Sequence, residues 1–226
     1  GSSVYSTPRH PDVPAASFPG HPEALAAGCF LIMRIIGGTA GGRRLAVPKG
    51  FAVRPTPDLV KQAIFNSLGG RVVEARVLEL FAGSGALGLE CLSRGAARVV
   101  AVEKAARHAA MIRENLATTG LPAGQFELRT QDVFSALKQM RDAGERFDLV
   151  LADPPFGEKN RGHRSESLSQ QLLDHPDLPH LLAEQGVFVL GHTKRDTVSL
   201  PAGWEEIREL RHGDSLMRLL QHAPEP

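Results

Sequence analysis

From Arg76 onward, apolar and polar positions fall into two alternating patterns. Short runs rich in β-branched residues predict strands: RVLELF (76–81), RVVAVE (98–103), FELRT (126–130), FDLVLA (147–152) and GVFVLG (186–191). Between them, 86–94, 105–119 and 133–143 carry helical patterning. This alternation implies an open, mostly parallel sheet with helices on both faces. A longer connection, Gly157–Gln185, is expected to hold a polar loop and a helix. The tail WEEIRELRHGDSLMRLLQ (204–221) predicts two strands around His212-Gly213-Asp214, an antiparallel terminal hairpin.

Upstream, DLVKQAIFNSLGG predicts a helix. Thr56 or Asp58 is its expected cap, Leu59, Ala63 and Ile64 its expected apolar face, and Gly69-Gly70 its end. Before it, in Met33–Pro57, apolar pairs flank Gly37-Gly38 and Gly41-Gly42, which predicts a small N-terminal β arm. The first 32 residues are proline-rich and without period, so they are expected to be a disordered leader or a tag. Gly1-Ser2 reads as a cloning scar and Met33 as a native start. LAAGCFLIM (25–33) is preceded by prolines and His21, not by an apolar stretch, so a signal peptide is discounted. Three parts result: a leader over 1–32, a basic β arm over 33–57 and a main domain over 58–222.

Composition narrows the functional classes. A chain of 226 residues is long enough for one full core and little more. No apolar run reaches the ~18 residues of a membrane span. Two cysteines, Cys29 and Cys91, are too few for a disulfide framework, and a reduced cytoplasmic setting is expected. The nine histidines are scattered without ligand spacing, so no metal is expected. The formal charge is only +1, so any nucleic-acid surface must come from local clustering. Two clusters stand out. The arm carries Arg34, Arg43, Arg44, Lys49 and Arg54 with no acid. The stretch after residue 156 carries Lys159, Arg161, His163 and Arg164 against Glu158 alone. Both are candidate phosphate contacts.

The chemistry concentrates in two motifs. LELFAGSGALGLE (78–90) contains GxGxxG at Gly83, Gly85 and Gly88, between a predicted strand and a predicted helix. Glu103 ends the next strand, 20 residues after Gly83, where a carboxylate can accept from both hydroxyls of a ribose. Together they imply an adenosine-type cofactor. Glu79 argues against a pyrophosphate, because its charge would repel one and welcome a cation. The second motif, Asp153-Pro154-Pro155-Phe156, follows strand 147–152 directly. Its prolines remove two backbone donors. What remains is a carboxylate, carbonyl acceptors and an aromatic face, which suits a planar ring with an exocyclic amine. Accepting that amine's hydrogens frees its lone pair for attack on a methyl group held in line. Phe156 would stack on the ring, worth ~1–3 kcal/mol.

On these residues the chain resembles the class I S-adenosylmethionine-dependent methyltransferases with a D/N-P-P-Y/F motif. More narrowly, it resembles the bacterial small-subunit (16S) ribosomal RNA guanine-N2 methyltransferase family. The resemblance runs from Arg34 to about Gln221 and rests on RIIGG, RPTPDLVKQAIFNSL, LELFAGSGALGLECLSRGA, VVAVEK and ADPPF. It implies an α/β fold with a Rossmann-like, doubly wound, mostly parallel seven-stranded sheet. It implies S-adenosylmethionine as cofactor, with Glu79, Phe81, Gly83, Ser84 and Gly85 lining the methionine side. Glu103 would bind the ribose, Lys104 would lie beside the adenine, and Asp132 would accept from the adenine amine. Asp132 also reads as a plain helix cap. The helix from Arg54 to Asn66, with Thr56, would cover the cofactor. Asp153, Pro154, Pro155 and Phe156 would be catalytic, with phenylalanine where tyrosine is common. The implied partner is a guanine in a loop of small-subunit ribosomal RNA, within a 30S subunit or an assembly intermediate. Arg34, Arg43, Arg44, Arg54, Lys159, Arg161 and Arg164 would contact that RNA. A monomer with no membrane association is expected. Three rivals share features: a DNA adenine-N6 methyltransferase, which lacks an obvious target-recognition domain here; an NAD-dependent oxidoreductase, which lacks a proton-donor motif; and a non-enzymatic RNA-binding protein.

Overall fold

A central sheet of seven strands, ordered β5-β4-β3-β6-β7-β9-β8, organises the chain. The computed structural model describes residues 33–47, 56–155 and 165–223. The expected leader lies outside the described residues, as do Lys49, Arg54, Phe156, Lys159, Arg161, His163 and Arg164. The arm forms β1 (Met33–Arg34) and β2 (Arg44–Leu45), an antiparallel pair apart from the main sheet. Then come α1 (Asp58–Leu68), β3 (Arg76–Leu80), α2 (Ala86–Ser93), β4 (Arg98–Val102) and α3 (Ala106–Thr119). They are followed by β5 (Phe126–Arg129), α4 (Val133–Asp142), β6 (Phe147–Ala152), α5 (Leu168–Leu173) and α6 (Leu178–Leu181). β7 (Leu182–Thr193), β8 (Trp204–His212) and β9 (Ser215–His222) complete the sheet. Strands β3 to β7 pair in parallel, whereas β9 pairs antiparallel with both β7 and β8. The doubly wound sheet and its terminal hairpin are as expected.

Alternation along the strands divides the core into two layers. Val77, Val99, Leu149, Val187 and Val189 pack on one face with Val60, Ile64 and Leu89 from α1 and α2. Leu78, Val100, Val150, Phe188 and Leu190 pack on the other with Leu137, Met140, Leu172 and Leu178 from α4 to α6. Helices on both faces are what lets the ends of β3 and β6 open onto a crevice between them.

Three elements differ from the sequence expectation. The apolar face of α1 is Val60, Ile64, Phe65 and Leu68, and Leu59 is 62% exposed. The face is rotated because Lys61 is fully buried with it, its ammonium 3.8 Å from the equally buried Glu90. Neither Thr56 nor Asp58 caps α1; the N-cap is Pro57, with no side-chain cap bond. The connection before β7 holds two short helices rather than one, because Pro176 cannot continue α5, and Pro179 sits in the first turn of α6. β7 starts four residues early, at Leu182, through an irregularity opposite Phe147 and Leu149. Gln185 takes a positive φ of 61° there, which polar, strand-poor sequence does not announce.

The arm is locked to α2. The Glu90 carboxylate accepts from the backbone N–H groups of Ile36 and Gly37, each at 2.8 Å, and from Arg94 Nε at 2.8 Å. Thr39 N–H donates to the Ser93 carbonyl at 2.8 Å, and Ala40 N–H to Ser93 Oγ at 2.9 Å. A Cβ on Gly38 would lie 1.8 Å from the Ser93 carbonyl oxygen, so only glycine fits. Asn115 of α3 ties β2 to the glycine loop: Oδ1 accepts from Ala46 N–H at 2.7 Å, and Nδ2 donates to the carbonyls of Ala46 at 3.0 Å and Ser84 at 2.9 Å.

Candidate active site

Leu80 and Ala152 are register partners at the ends of the parallel pair β3 and β6. The loops that follow, Phe81–Gly85 and Asp153-Pro154-Pro155, therefore leave the sheet side by side. The chain passes from β3 to β4 on one side and carries β6 on the other, so this is the topological switch point where such sheets bind ligands.

The first loop turns sharply. Phe81, Gly83 and Gly85 all have positive φ, at 56°, 58° and 74°. Phenylalanine in that region is strained, and the hydrogen bond from Ala82 N–H to the Val102 carbonyl at 3.1 Å helps to hold it. Gly85 is the N-cap of α2. Gly88 has a different task. A Cβ there would lie 2.5 Å from Glu79 Oε2, so the third glycine of the motif makes room for a carboxylate rather than for a phosphate.

Glu79 is buried in β3. Its Oε1 accepts from Leu87 N–H at 3.1 Å, and its Oε2 has no partner among the described residues. Burial raises its carboxyl from 4.5 to about 8; the N–H groups of Gly88 and Leu87 oppose that shift, and the charges of Glu103 and Asp153 add to it. Glu103 closes the loop: Oε2 accepts from Gly83 N–H at 2.8 Å, and Oε1 from Ala105 N–H at 2.7 Å. His108 of α3 places Nδ1 3.5 Å from Glu103 Oε1 and leaves Nε2 without a partner.

Asp132 caps α4 through Oδ1, which accepts from Phe134 N–H at 3.1 Å and Ser135 N–H at 3.2 Å. Its Oδ2 lies 3.5 Å from Lys104 Nζ. Phe134 meets Phe81 edge-on at 6.4 Å and stacks on His175 at 5.6 Å. Sequence reading passed over His108, Phe134 and His175. Phe134 was within reach, two positions after the acidic cap; the histidines carry no local signal.

Two adjoining cavities result. The larger, about 400 Å³, is lined by Glu103, Lys104, His108, Asp132 and Phe134 on one side and by Asp153, Pro154 and Pro155 on the other. The smaller, about 50 Å³, lies among Met33, Thr56, Glu79, Ser84 and Leu87. Phe81, Gly83 and Asp153 line both. Thus all of Glu79, Phe81, Gly83, Ser84, Glu103, Lys104, Asp132, Thr56, Asp153, Pro154 and Pro155 converge, with Gly85 at the end of the loop.

Asp153 is half-buried, and burial pushes its carboxyl above the ordinary value; a hydrogen bond from Thr56 opposes the shift. Thr56 Oγ1 donates to Oδ2 at 2.8 Å. A Cβ on Gly191 of β7 would lie 2.4 Å from Oδ1, so glycine clears the other side.

The lining charges test which group fits. Four acidic side chains face the cavities, Glu103, Asp132 and Asp153 with Glu79, which holds its proton up to about pH 8 unless a positive charge is bound beside it, and Lys104 is the sole lysine or arginine among the described lining residues. Lys104 is itself directed to Asp132. A pyrophosphate fits this field poorly. A ligand with a ribose, an amine-bearing ring and positive charges fits it well, and S-adenosylmethionine has these features. Cys91 is fully buried and its thiol is pushed far up, which removes it as a nucleophile. Among the described residues no group of three or more His, Cys, Asp or Glu side chains could hold a metal ion. No described helix is long and apolar enough to cross a membrane.

The basic residues of the arm divide. Arg43 and Arg44 are exposed and have no side-chain partner among the described residues. Arg34, expected to be equally available, donates from Nε to Asp58 Oδ2 at 2.8 Å. The arm lacks acids of its own, but α1 supplies one.

Comparison with known proteins gives the family. The family model named Conserved hypothetical protein 95 matches residues 33–221. Ribosomal RNA small subunit methyltransferase D of Escherichia coli K12 is 38% identical over 84% of this chain and 89% of its own. The protein of the same name from Haemophilus influenzae is 32% identical over 84% of this chain and 94% of its own. The solved structure of Escherichia coli yhhF superposes with a TM-score of 0.68 at 35% identity, covering 86% of this chain and 99% of that one. With a family model spanning its whole described fold and relatives matched over most of their length, the chain belongs to the Conserved hypothetical protein 95 family, alongside the ribosomal RNA small subunit methyltransferase D proteins.

Proposed function

We propose that the chain transfers a methyl group from S-adenosylmethionine to the exocyclic N2 amine of a guanine in small-subunit (16S) ribosomal RNA. The observation that carries this reading is the placement of Asp153. Its carboxylate lines both cavities, one oxygen is held by Thr56, and Oδ1 has no hydrogen-bond partner among the described residues.

When bound, S-adenosylmethionine supplies an electrophilic methyl on a positively charged sulfur. Glu103 accepts from the ribose hydroxyls with the lone pairs left over from Gly83 and Ala105. Asp132 accepts from the adenine amine, with Lys104 beside the ring, and Phe81 and Phe134 wall the ring in. Glu79, Ser84 and the loop glycines line the methionine end, where Glu79 offsets positive charge. On the substrate side, the Asp153 carboxylate and the Pro154 carbonyl accept the two amine hydrogens. That draws the nitrogen towards tetrahedral geometry and frees its lone pair. Pro155 stiffens the turn, and Phe156 supplies a stacking face. As the new N–C bond forms, the methyl–sulfur bond would break and the sulfur would leave as the neutral thioether of S-adenosylhomocysteine; the amine loses a proton, which Asp153, with its raised affinity for protons, would hold.

The relatives' names support small-subunit ribosomal RNA as the substrate. Exposed Arg43 and Arg44, with Arg54, Lys159, Arg161 and Arg164, provide phosphate contacts, and Arg34 contributes once released from Asp58. The target base enters unstacked from a loop, presented by a 30S subunit or an assembly intermediate in the cytoplasm. The chain acts as a monomer.

Incubating the protein with methyl-labelled S-adenosylmethionine and small subunits lacking the modification, then analysing nucleosides by mass, tests the reading. N2-methylguanosine is the expected product. N6-methyladenine on DNA, or no transfer, overturns it.

A further inference from the structure

We infer that Thr56 is a positioning residue for the amine-accepting carboxylate, its hydroxyl fixing the orientation of Asp153 at the cavity. This rests on the proposed role of Asp153. The two residues are 97 positions apart, and the 2.8 Å bond from Thr56 Oγ1 to Asp153 Oδ2 is the side-chain contact that joins the segment before α1 to the end of β6. A threonine directly before a helix would ordinarily serve the helix, but α1 has Pro57 as its N-cap and no side-chain cap bond. The hydroxyl is spent on the carboxylate instead. On the opposite side the carboxylate rests against the bare Cα of Gly191, where a Cβ would lie 2.4 Å from Oδ1. Held at Oδ2 and confined at Oδ1, the group has little freedom to rotate.

The hydrogen bond also favours the ionised form. Among the described residues, the acidic groups that face Asp153 are Glu79 from β3 and Glu103 across the larger cavity from the end of β4. β7 presents Gly191 and β9 presents Met217, neither of them charged. Among the described residues, Thr56 is therefore the group that favours ionised Asp153, able to accept both as a base and as a hydrogen-bond partner, when the pH falls.

The test measures kcat, the KM for RNA, the pH profile of kcat, S-adenosylhomocysteine affinity and melting temperature. It compares wild type, Thr56→Val, Thr56→Ser and Asp153→Ala. Thr56→Val is expected to lower kcat ~10–100-fold, the scale of a hydrogen bond to a charged group, and to move the acidic limb of the profile to higher pH. RNA KM, cofactor affinity and melting temperature stay close to wild type, and Thr56→Ser restores kcat and profile. A wild-type kcat and profile in Thr56→Val overturns the inference. So does a loss that tracks cofactor affinity or melting temperature, or one that serine does not rescue. Asp153→Ala separates the two ideas: if it remains active, the role of Asp153 itself fails; if it is inactive while Thr56→Val behaves as wild type, only the role of Thr56 fails.

Discussion

The backbone N–H of Gly83 donates to the Glu103 carboxylate at 2.8 Å, so the glycine loop and the acid at the end of β4 form one structure. The same carboxylate takes the Ala105 N–H at the start of α3. Glu103 is thus a clasp for the loop as well as the proposed acceptor for the ribose. Replacing it with alanine should weaken S-adenosylhomocysteine ~10–100-fold, the scale of hydrogen bonds to a charged group, and lower the melting temperature as well. Calorimetric titration and thermal melting of Glu103→Ala check both; unchanged affinity removes Glu103 from the cofactor site.

Glu79 makes stability and binding depend on pH. With its carboxyl raised from 4.5 to about 8, the folded chain holds a proton there that the unfolded chain has already released. Across that window stability falls as pH rises; below it both states are protonated, and above it the loss is complete. Glu79→Gln cannot titrate, so its melting temperature should gain on wild type steadily through the window. Positive charge on a bound cofactor favours ionised Glu79, so wild-type affinity should rise with pH towards about 8, with proton release seen as buffer-dependent heat. Parallel melting curves and buffer-independent heats contradict this.

Gly191 should tolerate no side chain. In Gly191→Ala the new methyl would lie 2.4 Å from Asp153 Oδ1 and 3.1 Å from Met217 Sδ, so the carboxylate must move. Misplacement of about 1 Å at a reacting group can cost ~10²-fold in rate. Methyl transfer should fall on that scale while S-adenosylhomocysteine affinity holds. Steady-state assays beside titration decide it, and near-normal transfer shows that Asp153 is not confined there.

Glu90 anchors the arm. Glu90→Ala takes the buried carboxylate from beside Lys61, whose ammonium keeps only the half-exposed Asp58 at 3.7 Å and the Arg34 carbonyl, and strips acceptors from the N–H groups of Ile36 and Gly37. A destabilisation of ~3–5 kcal/mol is expected, as for one partner removed from a buried pair. Denaturant unfolding measures it, and hydrogen exchange should quicken at Ile36 and Gly37. A loss below about 1 kcal/mol, the scale of an exposed pair, contradicts the anchoring role.

The strands β3 to β6 were legible because alternation and β-branched residues mark them directly, and the 20-residue spacing from Gly83 to Glu103 became a hydrogen bond. Asp132 carried its helix cap in the local sequence and uses it. What the sequence hid depends on contacts between distant elements. Lys61 reads as a surface charge until Glu90 is placed beside it, and its burial displaces Leu59 from the core face. Thr56 reads as a helix cap until topology brings Asp153 within 2.8 Å. Asn115 and His108 are ordinary polar positions of a helix until β2 and Glu103 lie against them. Arg34 reads as a free cation because its acid, Asp58, belongs to α1, beyond the arm.

The most direct measurement of the central claim is methyl transfer to small-subunit ribosomal RNA by Asp153→Ala, taken beside S-adenosylhomocysteine affinity in the same preparation. Transfer should fall by ~10²-fold or more, the cost of removing a group aimed at the reacting atoms, with cofactor affinity retained. Transfer close to wild type would contradict the account, because the two neighbouring loops would then share a crevice without sharing a reaction.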